Sequence, residues 1–332
     1  MPRFLTLALA ASLSSFACSK DESVTTGLDD ASTEPVLLPD GAPNPLLPDG
    51  APRPDSSGID SGITDSAPPD TAVADSGQPD VGAPDSGAPD SGGPGTPGVI
   101  GNTGIAAWDA LPAAEKNKVK VFRTTFQHQS VGQDLEDGCE DNGFPWEYFG
   151  PGQSTLRDGL NGGLFAASNG NPGAKIAEWQ AAGLRVKSTL RVAMMKFGYA
   201  DVTVAMLPAA EAAYLAATNT LKAQGLRVLH VTPPLVFDTS QNPPKMQMRT
   251  WMLATFTGDV IYDFQDIEST DATTGARCEV GGVWHICQNV RSRSGCASKG
   301  QGIDGPGQGH LCAAQAQRIS KAMLYAIYQA GI

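Results

Sequence analysis

Short apolar runs that alternate with helical segments constrain the fold of this chain more than any other feature of its sequence. The predicted strands are 119–126, 190–197, 226–232 and 260–264, and the predicted helices are 174–182, 209–224, 245–256 and 313–330. Such alternation predicts a three-layer α/β/α domain whose central, mainly parallel sheet is covered on both faces. In domains of this kind, functional residues lie beyond the carboxyl ends of the strands.

The chain changes composition sharply near residue 100. Residues 18–100 are rich in Asp, Pro, Gly and Ser and nearly lack aromatic residues, so they cannot bury enough apolar surface to offset the entropy of ordering. We therefore predict a disordered tether over 18–100 and one domain over 101–332. The net charge of −12 comes from the tether, because residues 101–332 are neutral overall. No basic cluster is present that would indicate nucleic-acid binding.

Aspartates recur every five residues from Asp55 to Asp90 in the tether. Evenly spaced like charges and prolines keep a chain extended and soluble, so the repeat predicts a spacer. Calcium binding is the alternative, but it needs converging carboxylates that a chain interrupted by prolines does not offer.

Residues 1–17 have the composition of an export signal. Arg3 supplies a positive charge, residues 4–13 form an apolar run too short to span a bilayer, and Ser15-Phe16-Ala17 has a small-x-small cleavage pattern. Cys18 then becomes the first mature residue, as in bacterial lipoproteins, so we expect a lipid anchor there and a location on the cell envelope. Lipoprotein signals usually carry Leu and a small residue in place of Ser15 and Phe16, which leaves ordinary secretion as the alternative.

A serine, an aspartate and a histidine occur in an order that suits nucleophilic catalysis. Ser130 follows the first predicted strand within Gln127-His128-Gln129-Ser130-Val131-Gly132, and Asp304 and His310 precede the last helix. A hydroxyl is a weak nucleophile until a base activates it, and a histidine oriented by an acid is such a base. The alternative for Ser130 is a hydroxyl that caps the following helix. If Asp304 does not reach His310 across six positions, a backbone carbonyl would orient the imidazole instead.

The other three histidines suit the role of base less well. His230 lies inside a predicted strand and is expected in the core, and His285 lies in a cysteine-rich loop without a nearby partner. His128 shares a strand face with Ser130 and is expected to shape the binding pocket.

Several blocks, taken in order, resemble those of the SGNH/GDSL hydrolases over roughly residues 119–330. They are 127–132, with a His-x-Ser-x-Gly pattern, 169–176, 195–201, 231–235, and Gly309-His310-Leu311. The resemblance implies a flavodoxin-like fold, an acyl-enzyme on Ser130, and a substrate such as an acetylated glycan or a lipid ester. Two departures stand out: the third block lacks the family's Asn, and the acid lies six residues before the histidine rather than three.

The resemblance also suggests where an oxyanion would be stabilised. The N–H of Ser130 is the first candidate donor, followed by the Gly170 N–H and the Asn169 side chain. Because the third-block Asn is absent, we expect Gly198 or Tyr199 to substitute for it; ordinary loop polarity is the alternative. Lys196 and Asp201 are expected at most to pair with each other.

Five cysteines follow Cys18, namely Cys139, Cys278, Cys287, Cys296 and Cys312. An odd number in an exported chain predicts at most two intramolecular disulfides and one leftover thiol. A bridge from the cysteine-rich loop to Cys312 would hold the segment that carries His310, and Cys139 is a further possible partner. The spacings do not suit zinc.

We therefore predict a surface-tethered serine esterase that uses no metal or cofactor and acts on an ester-bearing small molecule or glycan. Trp146, Tyr148, Phe149 and Trp179 are candidates for a sugar or acyl platform, although core packing explains aromatic residues equally well. Two alternatives belong to other classes: a domain with weakened catalysis that binds glycans, and a structural envelope lipoprotein.

Overall fold

A computed structural model of the protein describes residues 98–332, which contain a central sheet of seven strands. The strands are β1 (Gly98–Ile100), β2 (Thr124–His128), β3 (Trp146–Tyr148), β4 (Leu160–Leu164), β5 (Val192–Met195), β6 (Arg227–Val231) and β7 (Val260–Tyr262). All of them are parallel, in the order β1-β7-β6-β5-β2-β4-β3. Two further strands, β8 (Glu279–Val280) and β9 (Val283–Trp284), form a separate antiparallel hairpin.

Eight helices accompany the strands of the described region. They are α1 (Thr103–Ala110), α2 (Ala113–Lys118), α3 (Val131–Asp141), α4 (Pro172–Arg185), α5 (Leu207–Ala223), α6 (Pro243–Thr255), α7 (Phe264–Glu268) and α8 (Ala313–Gly331). α1 and α3 pack on α8, whereas α4 and α6 pack on α5. Within residues 98–332, no helix combines the length and the apolar character needed to cross a bilayer.

Successive residues of the strands enter different cores. Val192 and Met194 of β5 lie in the core that includes α3 and α8, whereas Ala193 and Met195 lie in the core that includes α4 and α5. Because side chains alternate across a strand, these two cores lie on opposite faces of the sheet. The predicted three-layer α/β/α fold with a parallel sheet is confirmed.

Two parts of the predicted secondary structure were wrong or incomplete. The first strand was predicted over 119–126, but β2 begins at Thr124, and Val119 follows the end of α2. Val119 and Phe122 are nevertheless buried, so their apolar character reflects core packing and not strand alternation. β4 was missed because its sequence contains Gly162 and Gly163, which have low strand propensity.

The folded region also starts earlier than predicted. Residues 98–100 were assigned to the tether, but β1 pairs with β7 at the sheet edge. Gly98 N donates to Asp259 O at 3.2 Å, and Asp263 N donates to Ile100 O at 2.9 Å. The predictions for residues 1–97, which comprise the export signal, Cys18 and the spacer, lie outside the described residues.

The strand order places a topological switch at β2. From β2 the chain goes to β3 and β4 on one side, and then returns to build β5, β6 and β7 on the other. Crevices that bind ligands in open parallel sheets form at the carboxyl ends of strands at such a switch. Ser130 follows β2 and therefore lies at this point.

We expect β1 to contribute measurably to stability. A chain that begins at Gly101 loses the β1–β7 ladder and the packing of Ile100, whereas one that begins at Gly95 keeps both. Each lost backbone hydrogen bond costs about 1 kcal/mol, so the shorter chain should melt at least ~4 °C lower in a thermal scan. Equal melting temperatures would show that the domain does not depend on β1.

Candidate active site

Ser130 occupies a sharp turn between β2 and α3. Its φ of 54° and ψ of −116° make it the one non-glycine residue with positive φ between residues 98 and 332. Gln129 anchors the turn, because its Nε2 donates to Phe165 O at 2.9 Å and to Ala167 O at 3.0 Å. At Gly132 a Cβ would lie only 2.3 Å from Cγ of His128, so the first turn of α3 requires glycine there.

The Ser130 hydroxyl meets the His310 imidazole and not the end of its own helix. Its Oγ lies 2.5 Å from His310 Nε2, and it makes no capping hydrogen bond to α3. His310 Nδ1 lies 2.7 Å from Asp304 Oδ1, and His310 N donates to Asp304 Oδ2 at 2.6 Å. Because a carboxylate only accepts, Nδ1 carries the proton and Nε2 is left to accept from Ser130.

The six-residue separation between Asp304 and His310 is bridged by a compact turn. Gln308 N donates to Gly305 O at 3.3 Å, and Gly305 N donates to Gln308 Oε1 at 2.9 Å. Arg291 Nη2 donates to the carbonyls of both Asp304 and Gly305 at 2.8 Å. The Asp304 side chain is 1% exposed, so its contact with the imidazole is shielded from water.

Disulfide connectivity ties the histidine segment to the cysteine-rich loop. Cys296 bonds to Cys312, two residues after His310, and Cys278 bonds to Cys287. Ser292 N also donates to His310 O at 2.7 Å. Two disulfides are typical of proteins that fold in an oxidising, extracytoplasmic environment. Cys139 forms no disulfide with the loop cysteines. It is a buried free thiol in α3, and burial raises its pKa to about 12.

Asp201 accepts hydrogen bonds from two of the predicted oxyanion donors. Gly170 N donates to its Oδ1 at 2.8 Å, and Gly198 N donates to its Oδ2 at 2.6 Å. A carboxylate holds these N–H groups more strongly than a neutral carbonyl would, so neither is free for a ligand. The expectation that Gly170 and Gly198 donate to an oxyanion through their backbone therefore does not fit this structure.

Lys175 is a component of the site that sequence reasoning missed. Its Nζ donates to Asp201 Oδ2 at 2.7 Å and to Asn169 Oδ1 at 2.9 Å, and the Lys175 and Asp201 side chains are fully buried. Desolvation lowers the pKa of Lys175, while the hydrogen bond with Asp201 opposes that shift. Lys196, the partner expected for Asp201, instead donates to Phe197 O at 2.9 Å.

The orientation of the Asn169 amide follows from its contact with Lys175. An ammonium group has no acceptor, so the amide oxygen must face it and the amide NH₂ must face away. Asn169 is an exposed residue that follows β4, at the carboxyl end of the sheet. Of the predicted donors, the Asn169 side chain and the Ser130 N–H at the start of α3 remain.

Of the other predicted site residues, Tyr199 lies next to His310 and His128 does not. The Tyr199 ring packs edge-to-face on His310, with ring centroids 6.2 Å apart, and so borders the site. His128 is 1% exposed, stacks on Phe126, and places Nε2 2.8 Å from Glu136 Oε1 of α3. It therefore lies beneath α3, where a ligand would not touch it, and does not line a pocket as expected.

The remaining histidines and aromatic residues lie away from the catalytic contacts. His230 is fully buried, as expected, and its Nδ1 lies 3.0 Å from Tyr214 Oη. Trp179 is buried and stacks on Tyr214, so it belongs to the core and not to a binding platform. Tyr148, by contrast, is 65% exposed on edge strand β3.

Comparisons with known proteins include a distant structural likeness. No model of a protein family matches the chain, and no curated protein matches it. A crystal structure described as a putative acylhydrolase from Bacteroides fragilis is similar, with 9% identity and a TM-score of 0.40. The match covers 66% of this chain and 96% of that chain.

The strained turn makes a prediction that depends on stability alone. The backbone angles of Ser130 are the mirror image of the extended region, which glycine adopts freely and other residues do not. Ser130→Gly should therefore be more stable than Ser130→Ala by about 1 kcal/mol, after the entropic cost of glycine is included. Denaturant unfolding of the two variants measures this difference. An alanine variant that is the more stable of the two would show that the turn stores no strain.

Proposed function

We propose that this protein is a serine hydrolase that cleaves ester bonds through an acyl-enzyme on Ser130. The observation that carries the proposal is the continuous series of contacts from Ser130 Oγ to His310 Nε2, and from His310 Nδ1 to Asp304 Oδ1. These three residues have the geometry and the protonation pattern of a nucleophile, a base and an orienting acid. The SGNH-like order of the sequence blocks supports the same assignment.

The proposed reaction has two halves. In the first, Ser130 Oγ attacks the ester carbon while His310 Nε2 takes its proton; the proton then passes to the departing alcohol, which leaves an acyl group on Ser130. In the second, water attacks the acyl carbon and gives a proton to His310, which returns it to Ser130 as the carboxylic acid departs. Asp304 keeps the proton on Nδ1 and stabilises the imidazolium that forms.

Two donors are proposed to stabilise the tetrahedral oxyanion. The first is the Ser130 N–H, since the first N–H groups of a helix have no acceptor within that helix. The second is the Asn169 NH₂, which Lys175 directs away from itself. Asn169 would thus supply the side-chain amide that the resemblance leads one to expect in the third block. Tyr199 is assigned to the wall of the site next to His310.

The cellular setting is also part of the proposal. We assign residues 1–17 to an export signal, Cys18 to a lipid anchor, and the following acidic repeat to a tether that extends the domain from the envelope surface. The disulfides support an extracytoplasmic location. Substrates of such an enzyme would be acyl or acetyl esters of glycans or lipids.

The alternative of a glycan-binding domain with weakened catalysis rested on two departures from the family pattern. One was the stretched Asp–His spacing, and the contacts between Asp304 and His310 weaken that argument. The other was the absent third-block Asn, and in this proposal the Asn169 side chain takes over its role as an oxyanion donor. The alternative of a structural lipoprotein does not account for the buried acid next to an imidazole in contact with a strained serine.

The catalytic assignment predicts a pattern of losses. Ser130→Ala and His310→Ala should each abolish most hydrolysis of p-nitrophenyl acetate, and the double variant should be little worse, because the two residues act as one unit. Asp304→Asn should cost about 10³–10⁴-fold in kcat, since Asp304 fixes the tautomer directly. A fluorophosphonate probe should label the wild-type protein rapidly at Ser130. Slow labelling equal to that of Ser130→Ala would refute the mechanism.

The Asn169 assignment can be tested with a near-isosteric change. Asn169→Asp still accepts from Lys175 but loses the NH₂ donor, so kcat should fall about 10²–10³-fold while the protein stays folded.

Asn171→Ala is the matched control. Asn171 lies two residues away and caps α4 by accepting from Ala174 N at 3.3 Å, so its loss should lower stability by about 1 kcal/mol and leave kcat nearly unchanged. Equal kcat for Asn169→Asp and wild type would remove Asn169 from the oxyanion site.

A further inference from the structure

A buried carboxylate joins the helix of Ser130 to the segment of His310. Asp134 lies in α3, about one turn after Ser130, and is 1% exposed. Its Oδ2 accepts from Leu311 N at 2.9 Å, and its Oδ1 accepts from Ser298 Oγ at 2.5 Å. Leu311 follows His310 directly, so the nucleophile and the base are linked through one side chain.

Both partners of Asp134 belong to segments that the Cys296–Cys312 disulfide also connects. Ser298 follows Cys296, and Leu311 precedes Cys312. The disulfide joins these segments to each other but not to α3. Asp134 supplies a buried contact with α3, and thereby constrains where His310 lies relative to the helix that begins after Ser130.

The charge of Asp134 also bears on the imidazole. Desolvation raises the pKa of Asp134 to about 6, and the hydrogen bond from Ser298, the charge of His310 and the Leu311 N–H oppose that shift. The charged groups around it are Asp137 on α3, His310 on the loop, and Lys196 just after β5. The negative charge of the Asp134 carboxylate lies close enough to His310 to interact favourably with an imidazolium there.

We propose that Asp134 is a positioning residue that places His310 against Ser130 through the Leu311 N–H. This inference rests on the proposed function, because it assigns Asp134 a role in the same hydrolase site. Two effects are combined in one carboxylate: an acceptor that orients the loop, and a charge that stabilises the imidazolium formed when Ser130 loses its proton.

Two substitutions separate these effects. Asp134→Asn keeps an oxygen for Leu311 N and an NH₂ that can donate to Ser298, but it removes the charge. Asp134→Ala removes both. We expect Asp134→Ala to lower kcat about 10²-fold with little change in KM, and Asp134→Asn to lower it less than about 10-fold. Fluorophosphonate labelling of Ser130 should slow in the same ratio.

The pH profile supplies a readout that a merely structural residue would not affect. In Asp134→Asn, the acid limb of kcat/KM should move to lower pH by about half a unit, because the charge that favours protonated imidazole is gone. Asp137→Asn is the matched control for kcat: Asp137 accepts from Gln133 Nε2 at 3.0 Å on the same helix and acts on Asp134 through its charge, so its kcat should match wild type.

The outcomes distinguish the two proposals. If wild type and Asp137→Asn label rapidly and Asp134→Ala keeps the wild-type kcat, Asp134 is not a positioning residue although the hydrolase assignment stands; an unshifted acid limb in Asp134→Asn removes the charge effect alone. If wild type does not label at all, the proposed function fails and the role of Asp134 falls with it. If Asp134→Ala does not fold, Asp134→Leu, which has a similar shape and no acceptor, takes its place in the measurement of kcat and labelling.

Discussion

The strained turn at Ser130 is the constraint on which the rest of the site depends. β2 is flanked by β4 and β5, so the position of its carboxyl end is set by hydrogen bonds on both sides. Only two residues, Gln129 and Ser130, separate β2 from α3, and in that short connection Ser130 adopts a backbone conformation that non-glycine residues avoid. The cost of about 1–3 kcal/mol is sustained by the surrounding packing, and it directs Oγ to the imidazole.

His310 has no such support from regular structure, because a long loop precedes it. Ordering a loop costs about 1–2 kcal/mol per residue in backbone entropy, so the loop needs ties to other parts of the domain. The Cys296–Cys312 disulfide, the Arg291 contacts with Asp304 and Gly305, and the Asp134 contact with Leu311 supply them. Ser130 is thus positioned by the sheet, and His310 by covalent and polar cross-links.

The layered fold and the candidate site residues were accessible from the sequence because each has a local signal. Apolar runs such as Val192–Met195 show that a strand is buried, Ser130 directly follows a predicted strand, and a Gly-rich segment precedes His310. Contacts over long sequence distances have no such signal: β1 pairs with β7, and Asp134 reaches Leu311 across 177 positions. The roles predicted for His128, Gly170 and Gly198 do not fit the structure for the same reason. Glu136 contacts His128, and Asp201 accepts from the two glycine N–H groups. The residues adjacent in the chain do not indicate these contacts.

In the proposed function, the Lys175–Asp201 pair compensates for the Asn that the third block lacks. A fully buried ion pair adds little stability by itself, because desolvation of both charges offsets their attraction. The pair also forms hydrogen bonds with two loop N–H groups and with the Asn169 oxygen, so it connects the loops after β4 and β5. The third-block segment 198–201 contains Ala200 and no Asn, and the amide that faces solvent at this edge comes from the neighbouring loop. Within the proposed mechanism, the buried charges therefore act by orienting an amide donor and not by contacting a substrate themselves.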